Sequence, residues 1–156
     1  MIDINEKLVL KLIEKNITVA AAESCTGGLL SSAFVDVPGS SDIFLEGVVT
    51  YSNDAKVRLG VDSSALKDYG AVSEQVALQM AKAVKNRAGS MVGISTTGIA
   101  GPGGGSAEKP VGLVYTAIVT DTSENVYKLN LLGDRSSVRR QTVDFMINKL
   151  YEMLNF

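Results

Sequence analysis

Short apolar runs alternate with stretches of helical periodicity along the first two-thirds of the chain, and this alternation most restricts the folds open to it. Residues 17–22, 44–51 and 91–97 are compact runs rich in β-branched and small side chains, the pattern of strands buried on both faces. Between and before them, Ile4, Leu8 and Leu12, then Leu29, Leu30, Ala33 and Phe34, then Val76, Met80, Ala83 and Val84 fall on one side of a helix. Asp3 with Glu6 resembles a capping pair, Ser73 can cap the longest of these helices, and Ser52-Asn53-Asp54 can start a short one through Lys56. Later, residues 111–120 and 126–132 flank a polar break at 121–125 and form a hairpin candidate. A last helix starts at Gly133-Asp134, with Val143, Met146, Ile147, Leu150 and Leu154 facing inward. Strands alternating with helices, followed by a hairpin, predict an α/β domain whose mixed sheet is covered on both faces.

Composition narrows the chemistry. At 156 residues, 46% hydrophobic and 21% charged, the chain suits one globular domain over 1–156, with no repeat or linker to divide it. Its net charge of −2 argues against a nucleic-acid partner. No stretch nears the ~20 apolar residues of a membrane span. With no histidine, a Ser-His-Asp triad, a Cys-His pair and an imidazole zinc site are all excluded, and no ligand cluster suggests a metal or cofactor. A single cysteine and acidic residues at the N-terminus, where a signal peptide would carry bases, suit a cytoplasmic protein.

Four segments could carry chemistry. Glu23-Ser24-Cys25-Thr26-Gly27-Gly28 joins a strand to a helix; amides at a helix start attract anions and the glycines admit a ligand to the backbone. Ser24 and Thr26 could add hydroxyl contacts, and an ordinary capped turn is the plain alternative. Cys25 is a nucleophile candidate there, but it has no histidine base, and a small buried thiol accounts for it as well. Residues 98–106 contain five glycines in nine positions. They lead through Lys109-Pro110 into a strand, not a helix, so the dinucleotide fingerprint fails, and no Gly-Lys-Ser/Thr follows for a phosphate-binding Walker loop. An amide-exposing loop or a flexible connection remains. Arg135, Arg139 and Arg140 lie in the first turns of the last helix, where cations oppose the helix dipole; a local anion or a solvated basic face would explain them.

The remaining constellation is Ser41, Tyr51 and Lys56. Tyr51 and Lys56 are five residues apart, about 140° around a helix, which does not match the Tyr-x-x-x-Lys of short-chain dehydrogenases. Ser-Lys hydrolysis is the alternative, with a neutral amine taking the serine proton. Lysine ordinarily titrates at ~10.4 and would have to be brought toward ~7–8 by burial or a nearby cation. Ala55 and Val57 are compatible with burial.

In this order, Ala22-Glu23-Ser24-Cys25-Thr26-Gly27-Gly28, Gly39-Ser40-Ser41, Val49-Thr50-Tyr51-Ser52-Asn53 with Ala55-Lys56, Gly70-Ala71-Val72-Ser73-Glu74, residues 98–106 with Lys109-Pro110-Val111-Gly112, and Gly133-Asp134-Arg135 with Val138-Arg139 cover nearly the whole chain. Together they resemble the CinA C-terminal domain family, whose stand-alone members are nicotinamide-nucleotide amidases. The resemblance implies a three-layer α/β/α sandwich with a five-stranded mixed sheet, commonly as a homodimer. It implies hydrolysis of the nicotinamide mononucleotide carboxamide to nicotinic acid mononucleotide and ammonia, in pyridine-nucleotide recycling. The molybdopterin-binding-like module of many members, with any pyrophosphatase activity, is not expected. The resemblance places the catalytic roles on Ser41 as nucleophile, Lys56 as base and proton donor, and Tyr51 as the group holding Lys56 or relaying its proton. Substrate binding is expected from Ser24, Thr26, Gly27, Gly28, Gly101, Gly103, Gly104, Gly105 and Ser106, with Arg139. No metal or cofactor is expected. A non-catalytic nucleotide-binding or protein-interaction module on the same fold is the competing expectation.

Overall fold

The computed structural model describes residues 2–154. In chain order the elements are α1 (Ile4–Lys15), β1 (Val19–Glu23), α2 (Leu29–Val35), a single 3-10 turn (Ser40–Asp42), β2 (Phe44–Val49), α3 (Asn53–Leu59), α4 (Ser63–Tyr69), α5 (Glu74–Ala88), β3 (Val92–Gly98), β4 (Leu113–Val119), β5 (Glu124–Asn130) and α6 (Arg135–Met153). The strands form one five-stranded sheet in the order β2-β1-β3-β4-β5. β1 runs parallel to both β2 and β3, whereas β3/β4 and β4/β5 are antiparallel. This is the expected mixed α/β sheet with its late hairpin. The 3-10 turn and α4 went unforeseen; α4, seven residues long, buries just Ala65, too little apolar periodicity to read from the sequence.

Alternation along β1 builds the three layers. Val19 and Ala21 join Leu8, Leu12, Leu30, Phe34, Met146 and Leu150 in the core beneath α1, α2 and α6. Ala20 and Ala22 point the other way, toward Val76, Met80 and Val84 of α5, as successive strand residues must. The α5 face is built from small residues because that helix lies close. A β-carbon on Gly93 would sit 2.2 Å from the Ala81 carbonyl oxygen, so no other residue fits there without displacing α5. Caps fall where the sequence offers them: Ser52, Ser73 and Asp134 each accept the N–H of the residue three ahead, and Asp3 accepts that of Ile4.

Because β1, β2 and β3 point the same way, their C-terminal ends share one edge of the sheet. The loops that follow them, at 24–28, 50–52 and 99–112, therefore converge there, the usual place for a site in an open α/β sheet. The 3-10 turn holding Ser41 precedes β2 and lies at the opposite edge.

Candidate active site

Lys56 occupies the first turns of α3 and is 1% exposed. Its Nζ donates to the Thr50 carbonyl at 2.7 Å and meets Ser24 Oγ at 3.0 Å, with the Tyr51 carbonyl at 3.5 Å. All three partners are uncharged oxygens, and no carboxylate compensates the ammonium. Burial accordingly pushes the Lys56 amine below its ordinary value, against an opposing pull from Cys25. Once it has lost a proton, the amine is within 3.0 Å of Ser24 Oγ, close enough to accept the hydroxyl proton.

Ser24 follows β1 directly and is nearly buried. With Tyr51, Lys56, Thr97, Gly101 and Arg135 it lines a cleft of about 260 Å³. The structure does not bring Ser41 there. Ser41 is exposed in the 3-10 turn before β2, and the six residues of that strand separate it from Thr50 and Lys56 by roughly 20 Å. Within the chain, the hydroxyl expected to be the nucleophile is thus remote from the Lys56 amine, and a hydroxyl expected only to bind substrate touches it.

Tyr51 is also placed differently from expectation. Lys56 meets its carbonyl, while its phenol points outward, 62% exposed, and accepts a hydrogen bond from Arg135 Nη2 at 3.0 Å. Arg135 Nη1 donates to the Gly101 carbonyl at 2.8 Å. This guanidinium, at the start of α6, therefore ties the glycine loop to Tyr51 across the mouth of the cleft.

The expected binding residues divide into two groups. Ser24, Gly101, Gly103 and Gly104 line the cleft. Thr26, Gly27, Gly28, Gly105, Ser106 and Arg139 are outside its lining and serve the loops themselves. Thr26 is fully buried and donates to Glu23 at 2.6 Å. Gly27 and Gly28 hold φ of 57° and 101°, left-handed values that favour glycine. Gly105 packs against Val111, where a β-carbon would come within 2.8 Å of the Val111 nitrogen. The Ser106 hydroxyl accepts the Lys109 N–H at 3.0 Å. Arg139 donates to the carbonyls of Cys25 and Thr26 at 3.0 and 2.8 Å. Its guanidinium also borders a second cleft with Pro102, Val111 and Arg135.

Cys25 is buried, and its thiol is pushed up to about 11, chiefly by that burial, so it is protonated at neutral pH and a poor nucleophile. Among the described residues no group of three metal-ligating side chains converges, and no helix is long and apolar enough to cross a membrane. Sequence reading did not single out Thr97, gave Glu23 no task of its own within the segment 23–28, and missed the bridging role of Arg135. Glu23 and Arg135 carried a signal in their places in that segment and in the basic cluster opening α6; Thr97 carried none.

Residues 1–154 match the family described as the CinA C-terminal domain. A competence-damage inducible protein of Clostridium acetobutylicum is 54% identical over 138 residues, 88% of this chain and 34% of that protein. A relative of the same description in Clostridioides difficile is also 54% identical, over 140 residues. The chain thus spans about a third of the length of the curated relatives it matches. The crystal structure of a competence/damage inducible protein from Agrobacterium tumefaciens superimposes with a TM-score of 0.92 at 39% identity, covering 99% of this chain and 98% of that one. A CinA superfamily protein from Escherichia coli gives 0.92 at 33% identity, covering 96% and 88%.

Proposed function

Because the chain belongs to the CinA C-terminal domain family, and because a buried lysine amine abuts a serine hydroxyl in its cleft, we propose that it is an amidohydrolase. Its substrate in this reading is nicotinamide mononucleotide, deamidated to nicotinic acid mononucleotide and ammonia. The 3.0 Å contact between Ser24 Oγ and a desolvated Lys56 carries the hydrolytic part of the reading, and the family resemblance carries the substrate.

Ser24 Oγ attacks the carboxamide carbon while Lys56 Nζ takes its proton. The tetrahedral oxyanion is stabilised by backbone amides of the turn after Ser24 and of the glycine loop, where such donors each contribute ~3–4 kcal/mol. Lys56 then returns the proton to the amide nitrogen as the carbon–nitrogen bond breaks, because NH2⁻ is too basic to leave unprotonated. Ammonia departs from a nicotinoyl ester on Ser24. Water, deprotonated by the same amine, attacks the ester; the acid is released and Ser24 recovers its proton.

The Thr50 carbonyl at 2.7 Å holds the amine on line with Ser24 through the cycle. Tyr51 and Arg135 border the cleft beyond the reacting atoms and face the sugar-phosphate end in this reading. The test is incubation of the purified protein with nicotinamide mononucleotide and a chelator. Equimolar ammonia and nicotinic acid mononucleotide are expected. Thermal stabilisation by the mononucleotide with no ammonia would replace the amidase reading with a nucleotide-binding one.

A further inference from the structure

Two charged side chains grip the turn that carries Ser24, and neither touches the cleft. Glu23 is wholly buried. One carboxylate oxygen accepts the Thr26 hydroxyl at 2.6 Å and the Leu30 N–H at 2.9 Å; the other accepts the Ser31 N–H at 2.9 Å and the Ser31 hydroxyl at 2.6 Å. The carboxylate thereby caps the first turn of α2, a task Gly28 at the cap position has no side chain to perform. Thr26 Oγ1 also lies 2.7 Å from Thr96 Oγ1 on β3. A hydroxyl has one proton, and Thr26 gives its own to Glu23, so Thr96 is the donor in that pair. The turn is thus tied to the central strand as well.

From the other side, Arg139 of α6 takes the opposite backbone groups, the carbonyls of Cys25 and Thr26. In a planar peptide the N–H points opposite to the carbonyl, so fixing these two carbonyls also fixes the amides of Thr26 and Gly27. The Gly27 N–H indeed returns to the Ser24 carbonyl at 3.1 Å. A buried anion holding amides and a cation holding carbonyls therefore leave the backbone around Ser24 little freedom to turn. They do so without pairing with each other.

We propose that Arg139 and Glu23 are positioning residues, acting through the 24–28 turn to keep Ser24 Oγ against Lys56. Arg139 is thereby given a role other than the substrate contact expected of it from the sequence. The proposal rests on the Ser24–Lys56 reading of the site. Its test uses one readout with the mononucleotide and one without.

Arg139→Lys keeps the charge but cannot span two carbonyls with a rigid fork. A displacement of Ser24 by about 1 Å costs ~100-fold in rate, so kcat is expected to fall ~10- to 100-fold with KM within about twofold. Glu23→Gln, which retains the shape and loses acceptor capacity, is expected to act the same way where it folds. In parallel, a fluorophosphonate is applied to each protein. Ser24 oxygen bonds to phosphorus, the phosphorus–fluorine bond breaks, fluoride leaves and the serine proton passes to Lys56. The labelling rate at Ser24 is expected to fall with kcat.

A rise in KM at unchanged kcat and unchanged labelling would overturn the proposal and make Arg139 a substrate ligand. Unchanged values throughout would overturn it as well. If the wild type releases no ammonia, the amidase reading fails, and slower labelling of the Arg139→Lys protein still supports the clamp. Absence of labelling in the wild type overturns it.

Discussion

The two flanks of β2 carry serines of very different kinds. Before the strand, Ser41 sits exposed in a 3-10 turn, with no buried charge beside it. Beyond it, the Thr50 carbonyl and Lys56 form a desolvated pair with Ser24 from the neighbouring β1. The difference comes from strand direction. Three parallel strands deliver three loops to one edge, and there polar side chains are buried against one another. At that edge Glu23, Ser24, Thr26, Thr50, Lys56, Thr96 and Thr97 are all buried. In the proposed mechanism Ser24 is the nucleophile because it shares that dry place with an amine.

The comparison breaks first at Lys56. Lys56→Arg cannot deprotonate and is expected to lower kcat by ~10³-fold or more, read as ammonia release. Lys56→Met should be equally inactive, yet more stable. A lysine whose folded value lies below its unfolded value disfavours the folded state at lower pH, and that penalty is relieved as pH rises from the folded value toward 10.5. Removing it is expected to raise stability by ~1–2 kcal/mol at pH 7, a few degrees in Tm by thermal denaturation.

A pH profile sharpens the same point. If the neutral amine is the base, kcat/KM rises with pH and levels above the Lys56 value, at a midpoint below 10.5. A climb that continues to the ordinary lysine range would mean the amine is not desolvated. Smaller effects follow at the rim. Arg135→Ala releases both Tyr51 and the Gly101 carbonyl and is expected to raise KM several-fold, about 1 kcal/mol, with faster amide hydrogen exchange across 99–106. Cys25→Ala, which removes a protonated, buried thiol, should change kcat less than about threefold, by the same assay.

The layers of the fold were legible because the strands and helices carry strong periodicity: Val19 and Ala21 face one core and Ala20 and Ala22 the other. Lys56 and Tyr51 were legible as candidates. Which serine lies beside Lys56 was not, because spacing along the chain says nothing about which edge of a sheet a residue reaches. Most of the interval between Ser41 and Tyr51 is β2 itself, and a strand separates what it connects. The tasks of Arg135 and Arg139 were equally hidden. Four residues apart, they share a face of α6, but only the structure shows one reaching a phenol and the other two carbonyls.

Ammonia release from nicotinamide mononucleotide by Ser24→Ala and Ser41→Ala, measured side by side on folded protein, tests the account most directly. Ser24→Ala is expected to lose ~10³-fold or more in kcat, while Ser41→Ala retains the wild-type rate. Loss of turnover in Ser41→Ala with full activity in Ser24→Ala would contradict it.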